Sequence, residues 1–135
     1  MTVTATRAPS MLKAYGPAIL WAIMLFAESA VPSDDIPQSI IFSQDKLIHM
    51  AIYAVFGYLL YRGMRKRGSR NASLAGWITF GICVVYGATD EFHQHFTPGR
   101  SMDVYDWIAD GLGAALAIGL ARLLENRRSR VPVTR

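Results

Sequence analysis

Four apolar stretches divide this chain of 135 residues, and they limit its fold more than any other feature. Short polar segments separate them, and they cover residues 14–30, 47–61, 74–88 and 104–124. A helix needs about 20 residues, with a range of 17 to 25, to cross the roughly 30 Å hydrocarbon core of a bilayer. The first and last stretches reach this length alone, and the middle two reach it with their flanks, as helices over 45–62 and 73–94. The sequence therefore predicts an all-α membrane protein with four transmembrane helices in one compact antiparallel bundle.

The composition favours a membrane location over an aqueous one. Charged residues make up 18% of the chain, whereas a soluble domain carries about 25%. The alternative is a soluble four-helix bundle, which needs a polar face on each helix. Residues 14–26 offer no such face. The single Cys83 can form no disulfide within the chain, and we interpret it as a small buried side chain.

Basic and acidic residues fall on opposite sides of the predicted bundle. Every Lys and Arg except Lys46 and Arg100 lies on one side, and every acid except Glu125 lies on the other. The positive-inside rule then predicts that both termini are cytoplasmic and that the acidic helix ends face outside a bacterial-type plasma (inner) membrane. We divide the chain into an N-terminal cytoplasmic segment, a transmembrane domain and a basic cytoplasmic tail, at residues 1–13, 14–124 and 125–135.

Membrane lipids are the expected partners, because basic clusters beside transmembrane helices attract anionic headgroups. Nucleic acid is not expected, since the basic segments lack interleaved aromatics and a binding motif. A homo-oligomer stays open. A cleavable secretory signal at the start of the chain is also an open alternative. Arg7 and Lys13 there precede an apolar run and small residues near Ala27–Ala30, as in such signals. Its cleavage would leave three helices.

Local signals mark the predicted helix ends. Pro17 is expected in the first turn of the first helix, where a missing N–H costs little. Residues 31–44 form the predicted outside loop, and Ser43 is the predicted N-cap of the second helix. Pro98 and Gly99 form a turn between the last two helices. The fourth helix is expected to open near Ser101, with Asp103 in its first turn.

Polar side chains that can carry chemistry gather at the outer ends of the last three helices. On the second helix they recur at i, i+4 and i+8, which aligns Asp45, His49 and Tyr53 in one stripe beside Lys46. The third helix ends with Glu91 and Gln94 on one face, and the fourth begins with Asp103, Asp106 and Asp110 at helical spacing. Ionisable groups at membrane depth are costly and persist mostly where they pair or line a site. We therefore predict one shared polar site.

We assign candidate roles by side-chain chemistry. His49 and Glu91 are candidate general acid and base, and Asp106 is a candidate catalytic residue that orients a partner. Lys46 and Arg100 are expected to hold a phosphate or another anionic headgroup. The candidate substrate-binding residues are Lys46, Tyr53, Gln94, Arg100, Asp103 and Asp110.

No cofactor and no metal are predicted. A metal site stays open as an alternative, because Asp45 and His49, and also Glu91 and His95, have the i, i+4 spacing of ligand pairs. The positive charges of Lys46 and Arg100 nearby argue against it.

Two stretches of the chain resemble the VanZ-like family. They read DKLIHMAIYAVFGYLL over residues 45–60 and YGATDEFHQHFTPGRSMDVYDWIADGLGAALA over residues 86–117. The family pattern is D-K-x-x-H-x-x-x-Y, then E-x-x-Q-x-F-x-P-G-R-x-x-D-x-x-D-x-x-A-N-x-x-G. The matching residues are Asp45, Lys46, His49, Tyr53, Glu91, Gln94, Phe96, Pro98, Gly99, Arg100, Asp103, Asp106, Ala109 and Gly113. Asp110 departs from the pattern, which more often has Asn there.

The resemblance implies an integral membrane protein of the cell envelope, in a family whose namesake is associated with resistance to a teicoplanin-type glycopeptide antibiotic. It supplies no reaction. Two functions remain open: a membrane-embedded enzyme acting on a lipid-linked or anionic envelope substrate, and a non-catalytic accessory protein whose polar network is structural. A proton-coupled transporter is disfavoured, because polar groups at one end of four short helices give no path through the membrane unless the chain oligomerises.

Overall fold

The computed structural model describes residues 8–32 and 45–130, and over these ranges the chain forms four long helices. All four are long and apolar enough to cross a membrane. The prediction of an all-helical membrane bundle is therefore confirmed. The predicted outside loop, from residue 33 onwards, and the Ser43 cap lie outside the described residues. The helices are α1 (Met11–Ser29), α2 (Asp45–Lys66), α3 (Ala72–Gln94) and α4 (Val104–Arg130).

Polar side chains cap the N-terminal ends of three helices. The Ser10 hydroxyl accepts the Lys13 N–H at 3.4 Å at the start of α1, and Asn71 Oδ1 accepts the Leu74 N–H at 2.9 Å at the start of α3. Asp103 directly precedes α4, and its Oδ1 accepts the Tyr105 N–H at 2.8 Å. Such caps satisfy N–H groups that have no partner within the helix.

Two expectations about helix starts were wrong. Because α1 already begins at Met11, Pro17 lies inside the helix rather than in its first turn. Its ring cannot donate to the carbonyl four residues earlier, so one helical hydrogen bond is missing there. At the other site, α4 begins at Val104, so Asp103 precedes the helix as its cap instead of lying within its first turn.

The four helices alternate in direction, so α2 and α4 run parallel, and this pair forms the most extensive interface. Glycine makes the close approach possible. A Cβ on Gly57 would lie 3.1 Å from the Ala114 Cα, and a Cβ on Gly113 would overlap the Met50 carbonyl oxygen. Small residues at a helix interface let backbones approach closely, which is how helices pack within membranes.

Side-chain hydrogen bonds to backbone carbonyls join α1 to α2, α3 to α1 and α4 to α3. Trp21 Nε1 donates to the Ile52 carbonyl at 2.9 Å, Tyr86 Oη donates to the Ala22 carbonyl at 2.6 Å, and Trp107 Nε1 donates to the Val84 carbonyl at 2.9 Å. The core between the helices is centred on Tyr53, Phe56, Cys83 and Ala114. Large apolar side chains such as Leu20, Trp77 and Leu116 point outwards and are more than half exposed, as expected of helices that face lipid.

The two ends of the bundle differ in charge. At one end, here called the basic end, Arg65 Nε donates to Glu125 at 3.0 Å and Arg67 donates to the Pro9 carbonyl at 2.9 Å. The opposite end, here called the acidic end, is formed by the start of α2, the end of α3 and the start of α4. The candidate site residues lie at this acidic end.

Candidate functional site

Lys46 joins α2 to the beginning of α4. Its Nζ lies 2.7 Å from Asp103 Oδ2 and 2.7 Å from Asp106 Oδ1. The Lys46 side chain is 49% exposed, whereas that of Asp106 is 8% exposed. The hydrogen bond from Lys46, together with that from the Tyr105 N–H, lowers the pKa of Asp103, because both favour the ionised carboxylate. Lys46 therefore marks the outer rim of the site and already has two anionic partners.

One turn further along α2, His49 forms a buried pair with Asp110 of α4. His49 Nδ1 lies 2.9 Å from Asp110 Oδ1, and the two side chains are 6% and 0% exposed. The other ring nitrogen, Nε2, lies 3.9 Å from Asp45 Oδ1. An ionised Asp110 accepts a hydrogen bond from Nδ1–H, which leaves the lone pair on Nε2. While Asp110 is ionised, the pair therefore orients the imidazole and favours the form with a proton on Nδ1.

Glu91 brings α3 into the site. Its Oε2 accepts the Asp103 N–H at 2.8 Å, immediately before α4 begins. Its Oε1 is buried and has no hydrogen-bond partner among the described residues. A groove of about 180 Å³ lies against Glu91, between α3 and α4, and its other lining residues are Ala88, Met102, Asp103, Val104 and Trp107. Glu91 thus connects the buried cluster to a mostly apolar groove.

Gly87 allows Asp110 to approach α3. A Cβ at Gly87 would lie 3.0 Å from Asp110 Oδ2, so any larger residue would crowd the carboxylate. Asp110 Oδ2 is buried and lacks a partner within the described residues. It points towards the α3 face that carries Gly87 and, one turn later, Glu91.

The site carries an excess of negative charge. Around His49, one lysine and one histidine accompany six carboxylates: Asp45, Asp90, Glu91, Asp103, Asp106 and Asp110. The other ion pair at this end, between Arg100 and Glu28, is balanced in itself. Unpaired charge at membrane depth is costly. The cluster is therefore suited to bind protons or a cation.

Arg100 lies apart from this cluster. Its guanidinium donates to Glu28 Oε1 at 2.7 Å and to the Val31 carbonyl at 3.1 Å, so its contacts are with the end of α1. The preceding Pro98–Gly99 turn places it there, and Gly99 has a φ of 73°, a conformation that favours glycine. The structure does not pair Arg100 with the carboxylates around Lys46.

Tyr53 and Gln94 lie buried near the same end. Tyr53 is fully buried, with its ring 6.0 Å from that of Phe56 and 6.5 Å from that of Tyr86. The Tyr53 hydroxyl and Gln94 Nε2 have no hydrogen-bond partner among the described residues. Both residues are therefore placed in the interior of the acidic end, away from the groove beside Glu91.

The site residues predicted from the sequence did not include two acids, Asp90 and Glu28. The possible ligand pair of Glu91 and His95 is not formed. Asp90 is 3% exposed and is a further buried acid at this end, although it was not among the predicted site residues. Glu28 is the partner of Arg100, and its position at the end of α1, level with the other acids, was a usable signal. His95 is exposed and is not part of the cluster that contains Glu91.

Within residues 8–32 and 45–130, two groups of side chains could hold a metal ion, and both include His49. In each group, one ligand atom per residue lies within 4.8 Å of the others. The first group is His49, Glu91 and Asp110, all buried, and the second is Asp45, His49 and Asp106. Lys46 occupies one oxygen of Asp106, so the first group is the better ligand set.

Comparison with known proteins identifies one relationship. A family model described as VanZ/LLP1 matches residues 14–125, which include all four helices except the outermost turns of α1 and α4. No curated protein and no solved structure matches the chain significantly.

Proposed function

The chain belongs to the VanZ/LLP1 family, and from that premise we propose that it acts on the headgroup of a lipid-linked or anionic envelope substrate. The proposal places the acidic end at the outer leaflet of a bacterial plasma membrane. A role in resistance to teicoplanin-type glycopeptides would be one consequence of such an envelope activity. The observation that carries the proposal is the buried His49–Asp110 pair beside Glu91, since Glu91 also lines the groove between α3 and α4.

The reaction that suits these groups is hydrolysis or transfer at a phosphate. His49 Nε2 accepts the proton of a water or an acceptor hydroxyl while that oxygen forms its bond to phosphorus. The bond from phosphorus to the leaving oxygen then breaks, and the imidazolium returns the proton to that oxygen. Asp110 stabilises the imidazolium, as a carboxylate does in general acid–base catalysis. Glu91 serves as the second proton-carrying group.

Lys46 is the group that would meet the phosphate. It is half exposed at the rim, whereas Arg100 is committed to Glu28 and the end of α1. A phosphate must compete with Asp103 and Asp106 for the ammonium of Lys46. The apolar groove beside Glu91 offers a place for the first part of a lipid chain.

The test is a lipid-phosphate hydrolysis assay on the purified protein in vesicles. We expect His49→Ala and Glu91→Gln to lower turnover at least tenfold, since general acid–base catalysis contributes roughly 10²–10⁴-fold. Glu125→Gln at the opposite end is the matched control and should keep full turnover. Equal turnover in all four proteins would contradict the proposal. If Glu91→Gln and Asp106→Asn lower the melting temperature of a chain without turnover, the non-catalytic accessory function is correct instead.

The surplus of carboxylates favours a second candidate, a metal-assisted form of the same activity. His49, Glu91 and Asp110 are all buried, and the unpartnered oxygens Glu91 Oε1 and Asp110 Oδ2 have no other donor in the described chain. One nitrogen and two carboxylates suit a first-row divalent cation such as Zn²⁺ or Mn²⁺. Its charge would attract a phosphate into an otherwise anionic site.

In this second candidate His49 is a ligand rather than the proton acceptor, so metal removal distinguishes the two. We expect chelation to abolish turnover and added Mn²⁺ or Zn²⁺ to restore it. Glu91→Gln and Asp110→Asn should lower the bound metal below one equivalent per chain, whereas Asp45→Asn should not. Turnover that is unchanged after complete chelation would exclude the metal and leave the proton-transfer form.

A further inference from the structure

We infer that the basic end of the bundle holds a second ligand site, which binds the phosphate group of an anionic lipid. The site is a cavity of about 420 Å³ between α2 and α4, within the roughly 300–1,000 Å³ of typical ligand pockets. The cations that line it are Arg62, Arg65, Lys66 and Arg128. This site lies at the opposite end from the His49 cluster and does not depend on its activity.

The single acid in the cavity is already paired. Glu125 Oε2 accepts hydrogen bonds from Arg65 Nε at 3.0 Å and from the Tyr61 hydroxyl at 3.1 Å. Arg65 also donates to the Ser69 carbonyl, which holds its guanidinium in place. Glu125 and Arg65 therefore offset each other's charge within the cavity.

The other three cations form no ion pair within the described residues. Arg62 and Lys66 occupy the last turns of α2, and Arg128 lies near the end of α4. Three unpaired charges around one cavity favour a ligand with two negative charges over a ligand with one. A phosphomonoester headgroup carries about two, whereas a phosphodiester carries one.

The flanks of the cavity fit a lipid rather than a free anion. Tyr58 lies one helical turn before Arg62, and Leu124 lies one turn before Arg128, on the side towards the middle of the bundle. Tyr58 is 46% exposed and Leu124 is 48% exposed. A phosphate bound by the cations would thus have its acyl chain beside these two side chains. Basic pockets between transmembrane helices bind acidic headgroups in this manner.

The test is a binding titration of the full chain in neutral detergent, read as the shift in melting temperature. The probes are short-chain phosphatidate, short-chain phosphatidylglycerol and inorganic phosphate. We expect phosphatidate to bind at least tenfold more tightly than the other two. Inorganic phosphate that binds as tightly as phosphatidate would overturn the assignment to a lipid.

The double variant Arg62→Gln/Arg128→Gln should weaken phosphatidate binding by about tenfold or more, because each hydrogen bond to a charged group is worth about a factor of ten. The matched control is Arg70→Gln/Arg127→Gln, which removes the same charge outside the cavity. The control should keep the wild-type affinity. Equal weakening in both double variants would show diffuse surface attraction and overturn the site.

Discussion

His49 on α2 and Asp110 on α4 form a buried pair across the interface of two parallel helices, with Nδ1 and Oδ1 2.9 Å apart. The pair lies one turn inside the rim, where Lys46 joins the same two helices through Asp103 and Asp106. Two successive polar contacts thus connect α2 to α4 at the acidic end. Small residues at Gly57 and Gly113 bring the backbones together further along.

Replacing Asp110 tests what the buried pair contributes to stability. Asp110→Ala leaves His49 without its partner, and breaking a buried pair costs about 3–5 kcal/mol. Asp110→Asn keeps an acceptor for His49 Nδ1–H and should cost clearly less. Thermal unfolding in detergent measures both variants. Equal melting temperatures for the two would show that His49 does not depend on this acceptor.

Gly113 is expected to be sensitive to any side chain. Gly113→Ala forces a Cβ into the Met50 carbonyl oxygen, so α2 and α4 must separate, at a cost of about 1–3 kcal/mol. Gly119 is the control on the same helix, since a Cβ there meets no atom within 4 Å. Gly119→Ala should be neutral or stabilising by up to about 1 kcal/mol through helix propensity. The prediction fails if both variants melt at the same temperature.

Arg100 should hold the end of α1 against the α3–α4 turn. Arg100→Gln removes the ion pair with Glu28 and the hydrogen bond to the Val31 carbonyl, whereas Glu28→Gln removes only the charge of one partner. We expect Arg100→Gln to be the more destabilising, by about 1–3 kcal/mol. Arg100→Lys should not restore stability, since an ammonium lacks the guanidinium fork. A double-mutant cycle with Glu28→Gln measures the ion pair alone.

The Lys46–Asp103 contact predicts a pH effect at the acidic end. The pKa of Asp103 in the folded chain lies below its ordinary value of 3.8. The ionised Asp103 therefore contributes fully to the free energy of unfolding above pH 3.8, and this contribution is lost as the pH falls through the lower folded pKa. Asp103→Asn should reduce the loss of stability in acid. It should not change how the free energy of unfolding depends on pH near neutrality. Unfolding curves of the wild type and of Asp103→Asn over a series of acidic pH values test this prediction. The same loss of stability in both proteins would contradict it.

Cysteine labelling tests the predicted sidedness. The native Cys83 is fully buried and should not react. Ser101→Cys lies at the acidic end and Asn126→Cys at the basic end, and both positions are exposed. An impermeant maleimide added to intact cells should label Ser101→Cys, and should label Asn126→Cys only after permeabilisation. The reverse pattern would invert the topology and place the His49 site in the cytoplasm.

Much of the fold could be predicted from residue types in order along the chain. Apolar runs of sufficient length predicted four helices, because every backbone polar group in lipid must find its partner within its own helix. The helical spacing of the polar residues predicted which faces of α2 and α4 point into the bundle. The residues are Asp45 and His49 on α2, and Asp106 and Asp110 on α4. The predicted first residues of the helices were less accurate, since capping by Ser10 or Asp103 depends on the local path of the backbone.

The sequence by itself determined that the polar residues lie at one end of the bundle, because helix length and charge segregation act along the chain. Only the tertiary structure decided the partners: Lys46 with two aspartates, His49 with Asp110, and Arg100 with Glu28 rather than with the cluster. These choices depend on how the helices rotate and how closely they approach. That geometry follows from packing between distant positions such as Gly113 and Met50, which no local spacing specifies.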